Sequence, residues 1–314
     1  MTSPEGAQAK PAQAEVSSTP VLYPFPAYSY LLEGLKAIPQ LALGRFTLAC
    51  FPNHELHLAL DGQASGQQAI VLGSISPPAT NLVSFLLLCH TLKKEGAQTI
   101  TALLPYLAYS RHDKAEPQKS QATALIGNLL SSAGVDKVIT VDVHSPQAHQ
   151  LFPIPLLSLS PVRIFAEALT NLALPDVTIV APDEGAIGRC QAVASAVGVK
   201  RELAYLTKQR TERGVTHREL HGRVGKQVVI IDDMLDTGGT LVSCCEKLLA
   251  IGVQEIYIMV THGLFTGTAW EKLWALGVKQ IYCTDSLPLP EHLRSARLRV
   301  LSVIPLLVEQ LKEA

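Results

Sequence analysis

Three carboxylates stand at the end of an apolar run, in the stretch VVIIDDMLDTGGT that begins at Val228. An aspartate that accepts hydrogen bonds from two neighbouring hydroxyls can recognise the diol of a ribose ring. The small-residue turn after the acids is typical of phosphate binding, because N–H groups that open a helix are unpaired and glycine lets an anion approach them. A helix cap in a tight turn would explain one acid but leave the others without a role. The predicted ligand is therefore a ribose phosphate, and the candidate residues are Asp232, Asp233, Asp236, Thr237, Gly238, Gly239 and Thr240.

These residues need a parallel sheet to position them, and the sequence predicts one. Short runs rich in Val and Ile alternate with longer helical patterns, which is typical of strands buried on both faces by helices. In such sheets ligands bind beyond the carboxyl ends of the strands, and the acids lie at such an end. The predicted strands cover residues 69–75, 99–110, 137–145, 177–185, 227–233, 255–263 and 280–286.

Two segments recur in the same order, which predicts that one α/β unit is duplicated. GAQTITALLPY, from Gly96, is echoed by GVQEIYIMVTH, from Gly252. GVDKVITVDVHS, from Gly134, is likewise echoed by GVKQIYCTDS, from Gly277. The alternative is that any loop from a helix to a strand carries a glycine followed by Val or Ile.

The chain divides into four predicted regions. Residues 1–20 are rich in Ala, Pro, Ser and Gln and are expected to be disordered. The proline-rich stretch FPIPLLSLSP marks the boundary between two expected domains, 21–156 and 157–300. A C-terminal helix is expected over 301–314, with the first domain as a candidate packing partner.

Composition and charge narrow the class of protein. With 314 residues, 47% of them hydrophobic and 17% charged, the chain is typical of a globular protein large enough for two domains. Its net charge of −1 is spread along the sequence and favours neither nucleic acid nor an anionic membrane as a partner. No apolar run is as long as a membrane-spanning helix, which needs about 20 residues. The first residues lack the basic start and apolar core of a secretory signal. The six cysteines include no Cys-x-x-Cys pair, so we expect reduced thiols in a cytoplasmic protein.

The acidic stretch resembles a known signature. VVIIDDMLDTGGT is similar to the phosphoribosyl diphosphate (PRPP) binding motif that type I phosphoribosyltransferases share with PRPP synthetases, the ribose-phosphate diphosphokinases. Further segments from about Phe51 to the C-terminus resemble the synthetases, which favours that family. The resemblance implies an α/β fold of two doubly wound parallel-sheet domains, each of the type I phosphoribosyltransferase-like fold.

The resemblance also implies nucleotide and metal contacts. LLPYLAYSRHDK (103–114) is similar to the family's ATP-binding segment, which implies contacts from Arg111 and His112. VDVHSPQ (141–147) and APDEGAIGRC (181–190) are similar to metal-site segments, which implies that His144 and Asp183 lie at a Mg²⁺ site. From the residues alone, each of these positions would be an ordinary strand end or turn.

A basic segment, LTKQRTERG (206–214), resembles the family's mobile catalytic loop and implies catalytic roles for Lys208 and Arg210. Cations that close over a transferring group offset the charge that develops there. The implied reaction moves diphosphate from ATP to the C1 hydroxyl of ribose 5-phosphate, with Mg²⁺ as cofactor. The family also implies a homo-oligomer, dimer or hexamer, whose nucleotide sites are shared between subunits.

Some residues depart from the family's pattern. CFPNHELHL (50–58) stands where an Asp-Gly-Glu segment contacts adenine, so Asn53 and His54 replace two expected residues and only Glu55 remains. These three residues are expected to contact ATP, but the two replacements leave open which nucleotide the protein prefers. Two other functions also stay open: a non-catalytic relative that regulates or scaffolds a synthetase, and a phosphoribosyltransferase that uses PRPP.

Overall fold

The computed structural model describes residues 19–174, 176–198, 203–211 and 214–312, with the backbone alone described between 208 and 218. The tail predicted to be disordered, residues 1–20, lies outside the described residues except for its last two.

The first half of the chain forms a six-stranded parallel sheet with helices around it. Its elements are β1 (Val21–Pro24), a 3₁₀ helix (Pro26–Leu31), α1 (Leu32–Leu35), β2 (Ala42–Leu43), β3 (Phe46–Cys50), β4 (Leu56–Leu60), β5 (Gln68–Leu72), α2 (Ala79–Lys94), β6 (Thr99–Leu103), α3 (Ala122–Ser132), β7 (Lys137–Val141), α4 (Ala148–Leu151) and β8 (Leu156–Leu159). The strand order is β2-β1-β5-β6-β7-β8, and β3 and β4 form a separate antiparallel hairpin.

The second half forms a seven-stranded sheet in which only the pair β10–β11 is antiparallel. Its elements are α5 (Val162–Asn171), β9 (Thr178–Ala181), a 3₁₀ helix (Glu184–Ala186), α6 (Ile187–Val197), β10 (Ala204–Thr211), β11 (Gly214–His221), β12 (Gln227–Leu235), α7 (Gly239–Ala250), β13 (Glu255–Gly263), a 3₁₀ helix (Ala269–Glu271), α8 (Lys272–Ala275), β14 (Gln280–Thr284), a 3₁₀ helix (Glu291–Leu293), β15 (Leu298–Leu301) and α9 (Ile304–Lys312). The strand order is β11-β10-β9-β12-β13-β14-β15.

The two sheets repeat one arrangement. The order β2-β1-β5-β6-β7-β8 of the first matches β10-β9-β12-β13-β14-β15 of the second, with parallel pairing throughout. The register agrees as well, because Gln68 pairs with Thr99 and Gln227 pairs with Glu255, each partner lying three residues after a left-handed glycine. This repeat has the form that duplication of one α/β unit would produce.

The predicted strands are found, but several are shorter than expected. The strand expected over 99–110 ends at Leu103, shortly before Pro105, which has no N–H group to continue a ladder. The predicted domain boundary between 156 and 157 falls inside β8, which pairs with β7 in the first sheet.

The last helix of the described chain packs on the first sheet. Leu307 and Leu311, together with Val303 just before the helix, join a buried apolar cluster with Leu22 and Tyr28 from the first half. Each residue is buried, so the helix supplies part of the hydrophobic core of the N-terminal sheet.

None of the helices in the described part of the chain is long and apolar enough to cross a membrane. The six cysteine side chains are free, and all except Cys50 are buried.

Candidate active site

The acidic loop lies at the carboxyl end of β12. Asp232 and Asp233 are still within the strand and are almost fully buried, and the Asp233 N–H donates to Asp232 Oδ1 at 2.9 Å. Asp236 follows the strand, and α7 begins at Gly239. The strand therefore holds the first two acids rigidly, while the third stands at the mouth of the turn.

The two glycines of the loop have different surroundings. Gly238 has a left-handed φ of +85°, and a Cβ there would lie 2.7 Å from the Cα of Trp270. A Cβ at Gly239 would meet nothing within 4 Å. Packing therefore requires glycine at 238, whereas 239 borders open space beside the N–H groups that open α7, where an anion could approach.

His144 joins the first half of the molecule to the acids of the second. It follows β7, and its Nδ1 lies 2.5 Å from Asp233 Oδ2. Since β7 and β12 belong to different sheets, this contact places the carboxyl ends of the two sheets face to face. His144 is partly exposed, while Asp233 is nearly buried.

The neighbouring acids differ in proton affinity. Burial raises the pKa of Asp232 well above its usual range, and the charges of Asp233 and Asp183 raise it further. Burial alone would also raise the pKa of Asp233, but the hydrogen bond and charge of His144, together with Arg189, hold that pKa below its usual range. Asp233 is therefore the carboxylate that stays ionised.

Arg111 also connects the two halves. It comes from the segment after β6, and its Nη1 donates to Asp236 Oδ2 at 2.7 Å. The exposed His112 follows it, and the N–H of His112 donates to the Tyr109 carbonyl at 3.2 Å. The structure thus brings one predicted nucleotide residue against one predicted ribose-phosphate residue.

Asp183 lies just beyond β9, the strand next to β12. It is buried, and it is close enough for its charge to raise the pKa of Asp232. Within the described ranges, no group of three or more His, Cys, Asp or Glu side chains is arranged to hold a metal ion. Magnesium commonly takes only one or two protein ligands and keeps water and substrate phosphates, so a Mg²⁺ site does not require such a group.

Asn53, His54 and Glu55 form the exposed tip of the β3–β4 hairpin. The Glu55 N–H donates to Asn53 Oδ1 at 3.2 Å, and the His54 N–H donates to the Phe51 carbonyl at 2.8 Å. His54 has a left-handed φ of +66°, the conformation that glycine adopts without strain. None of the hydrogen bonds found at this tip, in the part of the chain described, reaches the acidic loop.

Lys208 and Arg210 lie on β10, whose backbone pairs Lys208 with His217 and Arg210 with Val215 on β11. Their side chains lie outside the described part of the chain. Their predicted catalytic roles remain predictions.

Arg189 was not predicted from the sequence, although it is the one charged residue of α6. Its guanidinium holds Asp142, the residue after β7, with Nε–Oδ2 at 2.9 Å and Nη2–Oδ1 at 2.8 Å. Burial alone would lower the pKa of Arg189, but the charge of Asp142 raises it, so the guanidinium stays protonated. The sequence does show a single arginine in a helix of mostly small residues. Its partner, Asp142, is distant in sequence, so the pattern alone could not indicate the ion pair.

Comparisons with known proteins agree with this architecture. Residues 22–134 match the family described as the N-terminal domain of ribose phosphate pyrophosphokinase, and residues 149–282 match the phosphoribosyl transferase domain. The chain is 31% identical to the ribose-phosphate pyrophosphokinase of Bacillus caldolyticus over 283 residues, which is 89% of each chain. It is 32% identical to that of Bacillus subtilis over 271 residues, which is 85% of each.

A solved structure is also similar. The phosphoribosylpyrophosphate synthetase from Mycobacterium smegmatis superposes with a TM-score of 0.85 at 28% identity, covering 93% of this chain and 98% of that one. The chain belongs to the ribose-phosphate pyrophosphokinase family, whose members are diphosphotransferases. The predicted family and fold class are confirmed.

Proposed function

We propose that this protein is an active ribose-phosphate pyrophosphokinase that makes PRPP and AMP from ATP and ribose 5-phosphate. The observation that carries the proposal is the contact between His144 and Asp233, because it joins the nucleotide half to the ribose half. The C1 oxygen of ribose 5-phosphate bonds to the β-phosphorus of ATP. The bond from that phosphorus to the bridging α-phosphate oxygen breaks, AMP leaves, and the hydroxyl proton is released.

The acidic loop binds ribose 5-phosphate in this proposal. Asp232 and Asp233 hold the ribose hydroxyls, and the loop from Asp236 to Thr240 holds the 5-phosphate. The open space beside Gly239 lets the phosphate approach the first N–H groups of α7, where the helix dipole is favourable. Rigid placement of the sugar before reaction lowers the entropic barrier.

Magnesium fits between the two halves. Asp183 supplies the oxygen that Mg²⁺ prefers, and no hydrogen bond among the described residues occupies the ring nitrogen of His144 that does not face Asp233. When bound, the metal would neutralise charge on the phosphate oxygens. His144 and Asp183 are the residues proposed to hold it.

The nucleotide is assigned to the first half. Arg111 and His112 contact ATP in this proposal, and Asn53, His54 and Glu55 reach the adenine of a neighbouring subunit in a homo-oligomer. Lys208 and Arg210 would close over the transferring diphosphate. The free thiols fit the proposed cytoplasmic location.

The direct test measures AMP and PRPP together from ribose 5-phosphate, Mg²⁺ and ATP, and then PRPP with GMP from GTP or with CMP from CTP, while ADP, which cannot donate diphosphate and leave AMP, serves as a negative control. Lys208→Ala should lower turnover by about 10²–10³-fold, as loss of one electrostatic donor often does. Lys226→Ala is the matched control, because Lys226 lies just before β12, at the opposite end of that strand.

AMP that appears in step with PRPP, with loss only in Lys208→Ala, supports the proposal. Ribose phosphate binding without turnover of any nucleotide would favour the regulatory relative instead. Use of PRPP with a base acceptor, without nucleotide-dependent AMP release, would indicate a phosphoribosyltransferase.

A further inference from the structure

Arg189 and Asp142 form a largely shielded ion pair between the two halves. Their side chains are 12% and 11% exposed, and the guanidinium meets both carboxylate oxygens. Surface ion pairs contribute little to stability, but a largely shielded two-point contact fixes geometry because it allows only one orientation of the carboxylate. The pair is therefore suited to hold one half in register with the other.

Asp142 is held at each of its polar groups. Its carboxylate also accepts from the Thr261 hydroxyl, and its carbonyl accepts from His262 Nε2 at 3.3 Å. Its N–H donates to the Leu159 carbonyl at 2.9 Å. The residue has a left-handed φ of +45°, so the turn after β7 depends on this set of partners for its shape.

The same turn carries His144. Val143 lies between Asp142 and His144, and its N–H donates to Ser158 Oγ at 2.9 Å. This bond leaves the backbone of the turn little conformational freedom. His144 Nδ1 then meets Asp233 at 2.5 Å. Movement at Asp142 would be passed along two residues of fixed backbone to the imidazole ring.

We propose that Arg189 is a positioning residue, which clamps Asp142 so that the 142–144 turn aims His144 at Asp233. The inference rests on the proposed function only in taking His144 and Asp233 as parts of the reacting centre. Arg189 can position Asp142 because its planar guanidinium donates to both carboxylate oxygens. A positive charge without this planar arrangement of donors does not suffice.

Arg189→Lys separates these two contributions. Lysine keeps the charge near Asp232 and Asp233 but cannot hold both oxygens of Asp142 in a planar fork. Arg163→Lys is the matched control, since Arg163 Nη1 makes an exposed contact at 3.2 Å with Glu309 of α9, the helix that packs on the first sheet.

The first arm is a double-mutant cycle on kcat for PRPP formation. Arg189→Lys should lower kcat by about 10–100-fold, as loss of a residue that orients a reacting group does, with a smaller change in KM. Because Arg189 acts through His144, the double variant with His144→Ala should be no slower than His144→Ala alone. Unchanged kcat in Arg189→Lys, unchanged kcat in His144→Ala, or additive losses would each overturn the inference.

The second arm needs no turnover. In protein labelled with ¹⁵N at histidine, the His144 imidazole signals are identified by their loss in His144→Gln. Arg189→Lys should shift them, while Arg163→Lys should leave them in place; unshifted signals in Arg189→Lys would overturn the inference. A wild-type protein that makes no PRPP would refute the proposed function, and this arm would still decide the positioning role.

Arg189→Lys is compared with wild type by its circular dichroism and unfolding temperature. If it fails to fold, Asp142→Asn replaces it in both arms, because asparagine keeps the size of aspartate but removes the charged acceptor that pairs with Arg189.

Discussion

The ends of β5 and β12 occupy equivalent places in the two sheets and carry different chemistry. Each strand begins with a glutamine, Gln68 or Gln227, and has the same register against its neighbour. Five residues later the first half has Gly73-Ser74, and the second has Asp232-Asp233. One backbone arrangement thus supports a neutral turn in one half and a pair of buried acids in the other.

Asp142 and Asp285 show the same divergence two strands further along each sheet. Each follows a strand, β7 or β14, and each N–H donates to the last residue of the edge strand, Leu159 or Leu301, at 2.9 Å. Asp142 binds Arg189 across the two halves. Asp285 instead accepts from the Val303 N–H at 2.6 Å and so secures the start of α9. One aspartate thus joins the two halves beside the acidic loop, while its counterpart secures the start of the last helix.

The largest expected difference between the halves is in turnover. Asp233→Asn removes the ionised carboxylate that contacts His144 and should lower kcat by about 10²–10³-fold. Ser74→Ala, at the equivalent place in the first half, removes a hydroxyl that accepts from the Ser76 N–H and interacts with Tyr28, and should leave kcat near wild type. Steady-state assays of PRPP formation check this, and similar losses in both variants would contradict the comparison.

A second difference concerns stability inside the acidic loop. Gly238→Ala should lower the free energy of unfolding by about 1–3 kcal/mol, because alanine is strained at φ +85° and its Cβ meets Trp270. Gly239→Ala should leave that free energy unchanged or slightly higher, yet raise KM for ribose 5-phosphate because a methyl group enters the open space. Urea unfolding and saturation curves separate the effects. Equal destabilisation would show that packing fixes both glycines.

The smallest expected effect is a pH dependence of stability. The native pKa of Asp232 lies above its unfolded value, so the native state binds the extra proton and stability falls as pH rises through that raised pKa. Asp232→Asn removes this loss and keeps an oxygen to accept from the Asp233 N–H. The variant should therefore unfold a few degrees higher than wild type at neutral pH in EDTA, although its activity falls.

Unfolding temperatures measured across a pH series test this prediction. The exposed Asp61→Asn serves as the control and should follow the wild-type curve. A parallel pH dependence in wild type and Asp232→Asn would show that Asp232 does not bear the raised pKa.

Much of the two large sheets could be predicted from the sequence. β13 has the predicted bounds, 255–263, because a continuous run of Val, Ile and Met is typical of a strand buried on both faces. The β3–β4 hairpin was missed, since β3 is mostly exposed and lacks such a run. Four-residue edge strands such as β8 and β15 give too short a pattern to recognise.

The acids of the site could also be predicted, because their spacing at the end of β12 reflects local chemistry. The partners of those acids could not be derived from spacing. His144 meets Asp233, and Arg189 meets Asp142, only when the two sheets face each other. Sequence patterns describe each strand and its turn, whereas the relative placement of two sheets depends on long-range packing.

The packing of α9 on the first sheet bears on how the protein is made. During synthesis, the apolar surface around Leu22 and Tyr28 leaves the ribosome long before Val303, Leu307 and Leu311, which cover it. Part of the core of the N-terminal sheet therefore stays exposed to water until α9 has been synthesised. Folding of the first half is completed by the last helix of the second half.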